Sequence, residues 1–354
     1  MIANGNYVHG GDVYRNRVTL DFSANVNPLG TPEPVRAAIR KAADEVDRYP
    51  DPYCTELRNA LSERLGVSPE AIVCGNGGAE LIYQFAAALK PKRTLLPVPS
   101  FADYEGALAA IGCEPTYVPL RCETGFALDD SILGAITESV DLLMLCSPNN
   151  PTGCSIEPKL LRRILDRCRK TGTWLFLDES FYGLTDADKQ DSLIPDLRDG
   201  DRVTILRAFT KTYGMAGVRL GCCITKNRAL TASLTKLSQP WNVSTVAQAA
   251  GLAALDCDEW VQKTRALIAA EKPYLIRALQ TLGVSVLYGD ANYLLLSGVP
   301  TLYDKLLERG ILIRSCENYQ GLTAGDVRIA VRTHAENEAL IAAISEVLDA
   351  RNGN

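Results

Sequence analysis

The chain has 354 residues, of which 47% are hydrophobic and 22% charged, and carries a formal net charge of −5. That length exceeds one ordinary core and implies two domains or a large α/β domain with an appendage. The absence of a long basic run argues against a nucleic-acid partner, the lack of any apolar stretch approaching ~20 residues argues against a membrane helix, and two histidines, His9 and His334, are too few for a multi-histidine metal site.

In chain order, MIANGNYVHGG has no apolar segment of the signal-peptide kind. The eleven cysteines form no C-x-x-C pair and read as reduced thiols of a cytoplasmic protein. CGNGGAEL (74–81) is a glycine-rich turn that opens a helix over 79–90. Free amides and the helix dipole there make a phosphate cradle, although the turn is neither a G-x-G-x-x-G fingerprint nor a Walker loop. TLLPVP (94–99), PTYVPL (115–120) and DLLMLCSP (141–148) read as buried strands, with a helix over 102–112. CSPNNPTG (146–153) is a tight turn whose Asn150 can donate a hydrogen bond at a sheet edge.

A helix over 158–172 precedes the strand TWLFLDES (173–180), which ends on Asp178. A carboxylate there needs a protonated pyridine nitrogen or a buried arginine, or else it marks an acidic helix start. The strand VTILRAF (203–209) leads to Lys211, which has no acid nearby in sequence, and LGCCIT (220–225) follows Arg219. Strand–helix alternation with apolar runs predicts a mostly parallel sheet, with ligands beyond the carboxyl ends of its strands. Beyond residue 240 a long helical stretch (244–283) precedes three apolar runs that predict a smaller sheet, then a last helix over 336–350. The predicted division is a large domain at 46–250 and a smaller α+β domain formed by 1–45 and 251–354, with an N-terminal arm.

An unpaired ammonium at the end of a buried strand escapes its desolvation cost by a lowered pKa, which makes it a nucleophile towards carbonyls. The alternative is a lysine that snorkels out of a loop. A lysine, a carboxylate, a phosphate cradle and an arginine, all at strand ends, together suit pyridoxal 5′-phosphate (PLP).

The set Gly77-Gly78-Ala79, NNPTG, LDES, TK and GVRLG resembles the fold-type I PLP enzymes of the class I/II aminotransferase superfamily, from about residue 20 to the end. The resemblance implies an aspartate aminotransferase-like fold with Lys211 as the Schiff-base lysine. It implies Asp178 on the pyridine nitrogen, Asn150 on the ring hydroxyl and Phe101 stacked on the ring. Thr210, Arg219 and the amides of Gly77, Gly78 and Ala79 fall on the phosphate, without a metal. Tyr49, in RYPD, resembles a tyrosine that reaches the neighbouring subunit's phosphate, which implies a homodimer with shared sites.

Within the superfamily, VHGGDVY (8–14), LDFSANVNPLG (20–30), ILRAFTKTYGMAGVRLG and the region 312–337 resemble the threonine-phosphate decarboxylase branch of cobalamin synthesis. Phe181 fits that branch too, where many aminotransferases carry a tyrosine. The histidinol-phosphate aminotransferase branch is the alternative, along with phosphoserine decarboxylation or a non-catalytic effector-binding domain. By resemblance Arg328 binds a substrate carboxylate and Arg314 a substrate phosphate, with His9 and Asn27 closing the pocket. Ala208 stands where relatives often carry a hydroxyl residue touching the cofactor phosphate. Arg332 and His334 are assigned to a solvated loop.

Overall fold

The computed structural model describes residues 9–352 and, before them, residues 2–3 and 6–7; for residues 2, 3, 6, 7, 187, 351 and 352 only the backbone is described. Val8, which opens the VHGGDVY stretch, lies outside the described residues.

A seven-stranded sheet organises residues 72–224. Its strands run in the order Ile72–Gly75, Gly221–Ile224, Val203–Ala208, Trp174–Asp178, Leu142–Cys146, Thr94–Val98 and Thr116–Pro119. Gly221–Ile224 is antiparallel to both neighbours, and the remaining pairs are parallel. The central strands read as unbroken apolar runs because both faces are covered. Leu143, Leu145, Leu175, Leu177 and Ile205 pack into one core, whereas Leu142, Met144, Phe176 and Leu206 pack into a second core on the other face. The edge strand Thr116–Pro119 is largely exposed, as a strand with one neighbour can be.

The helix Pro158–Thr171 shows how local sequence sets these layers. Pro158 sits at its first turn, Glu157 accepts a hydrogen bond from the Leu160 amide at 2.8 Å, and Gly172 ends it at φ +73°. Leu160, Leu161, Ile164, Leu165 and Cys168 make its buried face.

Two features depart from the expectations. Ile72–Gly75 is an additional strand, its apolar run being cut short by Asn76 and Gly77. The long helical stretch is two helices, Thr245–Leu255 and Asp258–Thr281. Asp258 and Glu259 supply the acidic first turn that restarts the second helix.

The smaller sheet is antiparallel, in the order Ser285–Leu287, Tyr293–Ser297, Val327–Ala330 and Arg314–Ser315. Leu20–Asp21 pairs with Ile311–Leu312, which ties the segment before residue 30 to this region. Among the described residues no helix is long and apolar enough to cross a membrane, and no cluster of potential metal ligands is found.

The turn after Cys146 meets the smaller sheet backbone to backbone. The Asp290 amide donates to the Gly153 carbonyl at 2.8 Å, and a Cβ on Gly289 would lie 2.7 Å from Gly153 Cα and from the Thr152 carbonyl oxygen. Neither backbone can yield cheaply, so Gly289→Ala is expected to destabilise the protein by about 1–3 kcal/mol. Denaturant unfolding checks this; an unchanged midpoint would mean that these segments do not touch in this way.

Candidate active site

Parallel strands bring their carboxyl ends to one edge, and register sets what stands there. Cys146 is level with Asp178, and Asp178 with Leu206. Just beyond Ala208, a one-turn helix, Phe209–Thr212, carries Lys211. Because Gly221–Ile224 runs the opposite way, Arg219, two residues before it, reaches the same edge from the start of that strand.

A cavity of about 380 Å³ opens there. It brings together Lys211, Asp178, Asn150, Phe101, Thr210 and Arg219 with Gly78 and Ala79 at the start of the helix Gly78–Leu89. His9, Arg314 and Arg328 line the same cavity. Gly77 stands behind it at φ +90°, where a Cβ would lie 2.5 Å from Arg219 Nη2. Only glycine lets the arginine lie against this turn.

Lys211 is the most perturbed base. Burial, followed by the Arg328 and Arg219 guanidinium groups, brings its pKa down to about 8, with Asp178 and Asp103 opposing. Burial raises the Asp178 carboxyl above its ordinary value, partly offset by hydrogen bonds from Ser180 and Tyr104. The Ser180 amide donates to Oδ1 at 2.8 Å and the Tyr104 hydroxyl to Oδ2 at 2.7 Å. These two bonds fix the carboxylate in one orientation.

Arg314 and Arg328 are direct cross-strand partners and both are buried. Like charges placed opposite each other repel. Arg314 Nη2 donates to Asn318 Oδ1 at 2.7 Å; Arg328 donates to Asn150 Oδ1 through Nη1 and to the Ser23 carbonyl at 2.7 Å through Nη2. Arg328 Nε has no partner among the described residues. Among the described residues none of Arg219, Arg314 and Arg328 pairs with a carboxylate. Three guanidinium groups around one cavity therefore lack anions, so the residues fit a cofactor with an aldehyde, a basic ring nitrogen and an anionic tail, together with an anionic substrate.

One expected site residue is corrected. Asn27 does not line the cavity: its Nδ2 donates to the Thr212 carbonyl and Thr264 Oγ1, both at 2.8 Å, and its Oδ1 accepts from the Leu29 amide at 2.8 Å. Those bonds use up the amide. Asn25 lines the cavity instead, 1% exposed, with neither side-chain polar atom partnered among the described residues. A buried amide of this kind needs a hydrogen-bond partner from water or a bound molecule. Tyr49 is 78% exposed and stacks on Trp241, with ring centroids 4.4 Å apart, away from its own chain's cavity.

Sequence reasoning also passed over Tyr104 and Asp103. Tyr104 lies on the buried face of its helix, and its signal was a tyrosine three residues after Phe101. Asp103 pairs with His9 Nε2 at 3.1 Å, and nothing in sequence announces that contact. Arg332 pairs with Glu336, and His334 with Glu271 and Glu338, apart from the cavity.

Fold and cavity define an α/β enzyme of the aspartate aminotransferase-like architecture. A profile of the family "Aminotransferase class I and II" matches residues 17–344. The chain is 40% identical to the threonine-phosphate decarboxylase of Salmonella typhimurium, over 97% of each chain. It is 35% identical to the histidinol-phosphate aminotransferase of Symbiobacterium thermophilum, over 93% of this chain and 90% of that one. The solved histidinol-phosphate aminotransferase of Sinorhizobium meliloti, in complex with pyridoxal-5′-phosphate, superposes with a TM-score of 0.85 at 25% identity, over 98% of this chain and 96% of that one. The protein belongs to the class I and II aminotransferase family.

A lowered pKa leaves more free amine at a given pH. Reductive methylation with formaldehyde and cyanoborohydride, on protein freed of bound carbonyl compounds, is expected to label Lys211 with a midpoint near 8. Peptide mass spectrometry across a pH series checks this. A midpoint at the ordinary lysine value of about 10.4 would show that Lys211 is not desolvated.

Proposed function

We propose that this chain is a PLP-dependent lyase that decarboxylates L-threonine O-3-phosphate to 1-amino-2-propanol O-2-phosphate, the aminopropanol linker of the cobalamin nucleotide loop. The observation that carries the proposal is the buried, opposed pair Arg314 and Arg328 in the cavity of Lys211. A substrate with two anionic groups relieves that repulsion, and a phosphorylated amino acid has both a phosphate and an α-carboxylate. The 40% identity to a threonine-phosphate decarboxylase supports the choice of substrate.

In this reading Lys211 would hold the cofactor aldehyde, Asp178 the ring nitrogen, Asn150 the ring hydroxyl and Phe101 the ring face. Thr210, Arg219 and the amides of residues 77–79 would hold its phosphate. When bound, PLP supplies a conjugated ring that accepts the electron pair of a breaking bond at the substrate α-carbon. Asp178, fixed by Ser180 and Tyr104, would keep a proton on the ring nitrogen. Arg328 would grip the substrate carboxylate and so orient the α-carbon; Arg314 and His9 would take the substrate phosphate. Lys211 Nζ carries the proton that replaces the lost carboxyl group. Phe181, packed edge-on against Tyr293 at 5.0 Å, brings no hydroxyl to the ring. Ala208 brings none to the phosphate, and one missing neutral hydrogen bond there weakens the grip by about 0.5–1.5 kcal/mol.

The active form is proposed to be a homodimer in which Tyr49, exposed beside Trp241, reaches the neighbour's cofactor phosphate. The eleven unbridged cysteines support a reducing, cytoplasmic setting.

Incubating holo-protein with each substrate separates this reading from histidinol-phosphate transamination, which the 35% relative keeps in view. CO2 is expected from phosphothreonine without an oxo-acid. Glutamate formed from histidinol phosphate and 2-oxoglutarate, with no CO2 from phosphothreonine or phosphoserine, would overturn it; faster CO2 release from phosphoserine would keep the chemistry and change the substrate. Arg328→Leu is expected to lower kcat/KM by the equivalent of about 2–5 kcal/mol, the cost of leaving a buried charge unpaired. Mixing inactive Lys211→Ala and Tyr49→Phe protomers should restore part of the activity, and an active monomer would rule out shared sites.

A further inference from the structure

We propose that a second cleft, on the opposite face of the large sheet, binds a small carboxylate with an apolar body. This does not rest on the reaction assigned above. Consecutive strand residues point to opposite faces. Asp178 and Leu206 line the active cavity, and their neighbours Glu179 and Arg207 line the second cleft, of about 460 Å³.

Charge accounting identifies the missing partner. Arg207 pairs with Glu179 at 2.6 Å and lies over the Tyr182 ring at 3.7 Å, and Arg64 pairs with Asp258. The third arginine of the cleft, Arg265, forms no ion pair among the described residues, although the charge of Asp258, already paired with Arg64, reaches it. Its one hydrogen bond among the described residues runs from Nε to the Gly183 carbonyl, at 3.0 Å, which leaves both Nη groups unused. Arg265 is also partly desolvated, and burial lowers its pKa. Two carboxylates against three guanidinium groups leave one positive charge, and the planar fork of Arg265 matches a carboxylate. Leu61, Val261, Phe209 and Tyr213 supply an apolar wall, which calls for a ligand body without charge.

The cleft backs onto the catalytic edge. Ala208 and Ser180 line both cavities, and the Ser180 amide is one of the two donors that hold Asp178. An occupant therefore rests on the wall that positions both Asp178 and Lys211.

The test uses holo-protein and 4-fluorobenzoate, read by ¹⁹F NMR, with 4-fluorobenzyl alcohol and inorganic phosphate as comparison probes. Saturable binding of the benzoate is expected, with the alcohol weaker by about tenfold or more, because the charge-assisted fork is lost. Arg265→Gln is expected to weaken the benzoate by a similar factor. Gln262→Trp, at an exposed position on the rim, should weaken it as well while keeping Arg265, and so decides the matter if Arg265→Gln does not fold. Arg328→Leu should leave it unchanged. No binding, tighter binding of phosphate than of benzoate, or loss in Arg328→Leu with retention in Arg265→Gln would overturn the proposal.

Discussion

An ammonium group kept from water costs free energy, and the site depends on that cost being imposed at Lys211. Three parts of the chain impose it. The large sheet places the residue one turn past a buried strand. The segment 27–31 lies on that turn: the Asn27 amide donates to the Lys211 carbonyl at 2.9 Å, and Thr31 Oγ1 donates to the Gly214 carbonyl at 2.7 Å. The smaller sheet contributes Arg328, whose charge disfavours the ammonium further. Lys211 therefore offers a far larger fraction of free amine near neutral pH than an exposed lysine does.

The same constraint explains why the cavity is rich in guanidinium groups. Each is held by carbonyls or amides and not by a carboxylate, so their charge remains available to a ligand. The antiparallel strand is what admits Arg219, since a parallel strand in its place would present its carboxyl end at this edge. Arg314 and Arg328 come from a different sheet, and their cross-strand pairing has no stabilising logic without an anion between or above them. Guanidinium groups thus face the lysine from two sides, one set by each sheet.

Much of this was legible in the sequence. The apolar runs ending in Asp178 and leading to Lys211, with the glycines before Ala79, point to a strand-end site as a set, since each alone has a plain structural alternative. The resemblance then supplied roles for Arg314 and Arg328, which a single sequence leaves as two arginines in a strand-rich region. What stayed hidden depends on contacts between distant segments. Asn25 and Asn27 are alike in type and two residues apart; only the positions of Thr212 and Thr264 decide that Asn27 is consumed and Asn25 is left facing the cavity. The hydrogen bond from Tyr104 to Asp178 spans 74 residues. The matched and unmatched arginines of the second cleft likewise come from separate helices and a strand.

The central claim is that Lys211 is the covalent anchor of the cofactor, opposite Asp178. Borohydride reduction of the holo-protein, followed by digestion and peptide mass mapping, tests it most directly. The account predicts a pyridoxyl group on the peptide containing Lys211 and on no other. A pyridoxyl group on a different lysine, or on none, would contradict it.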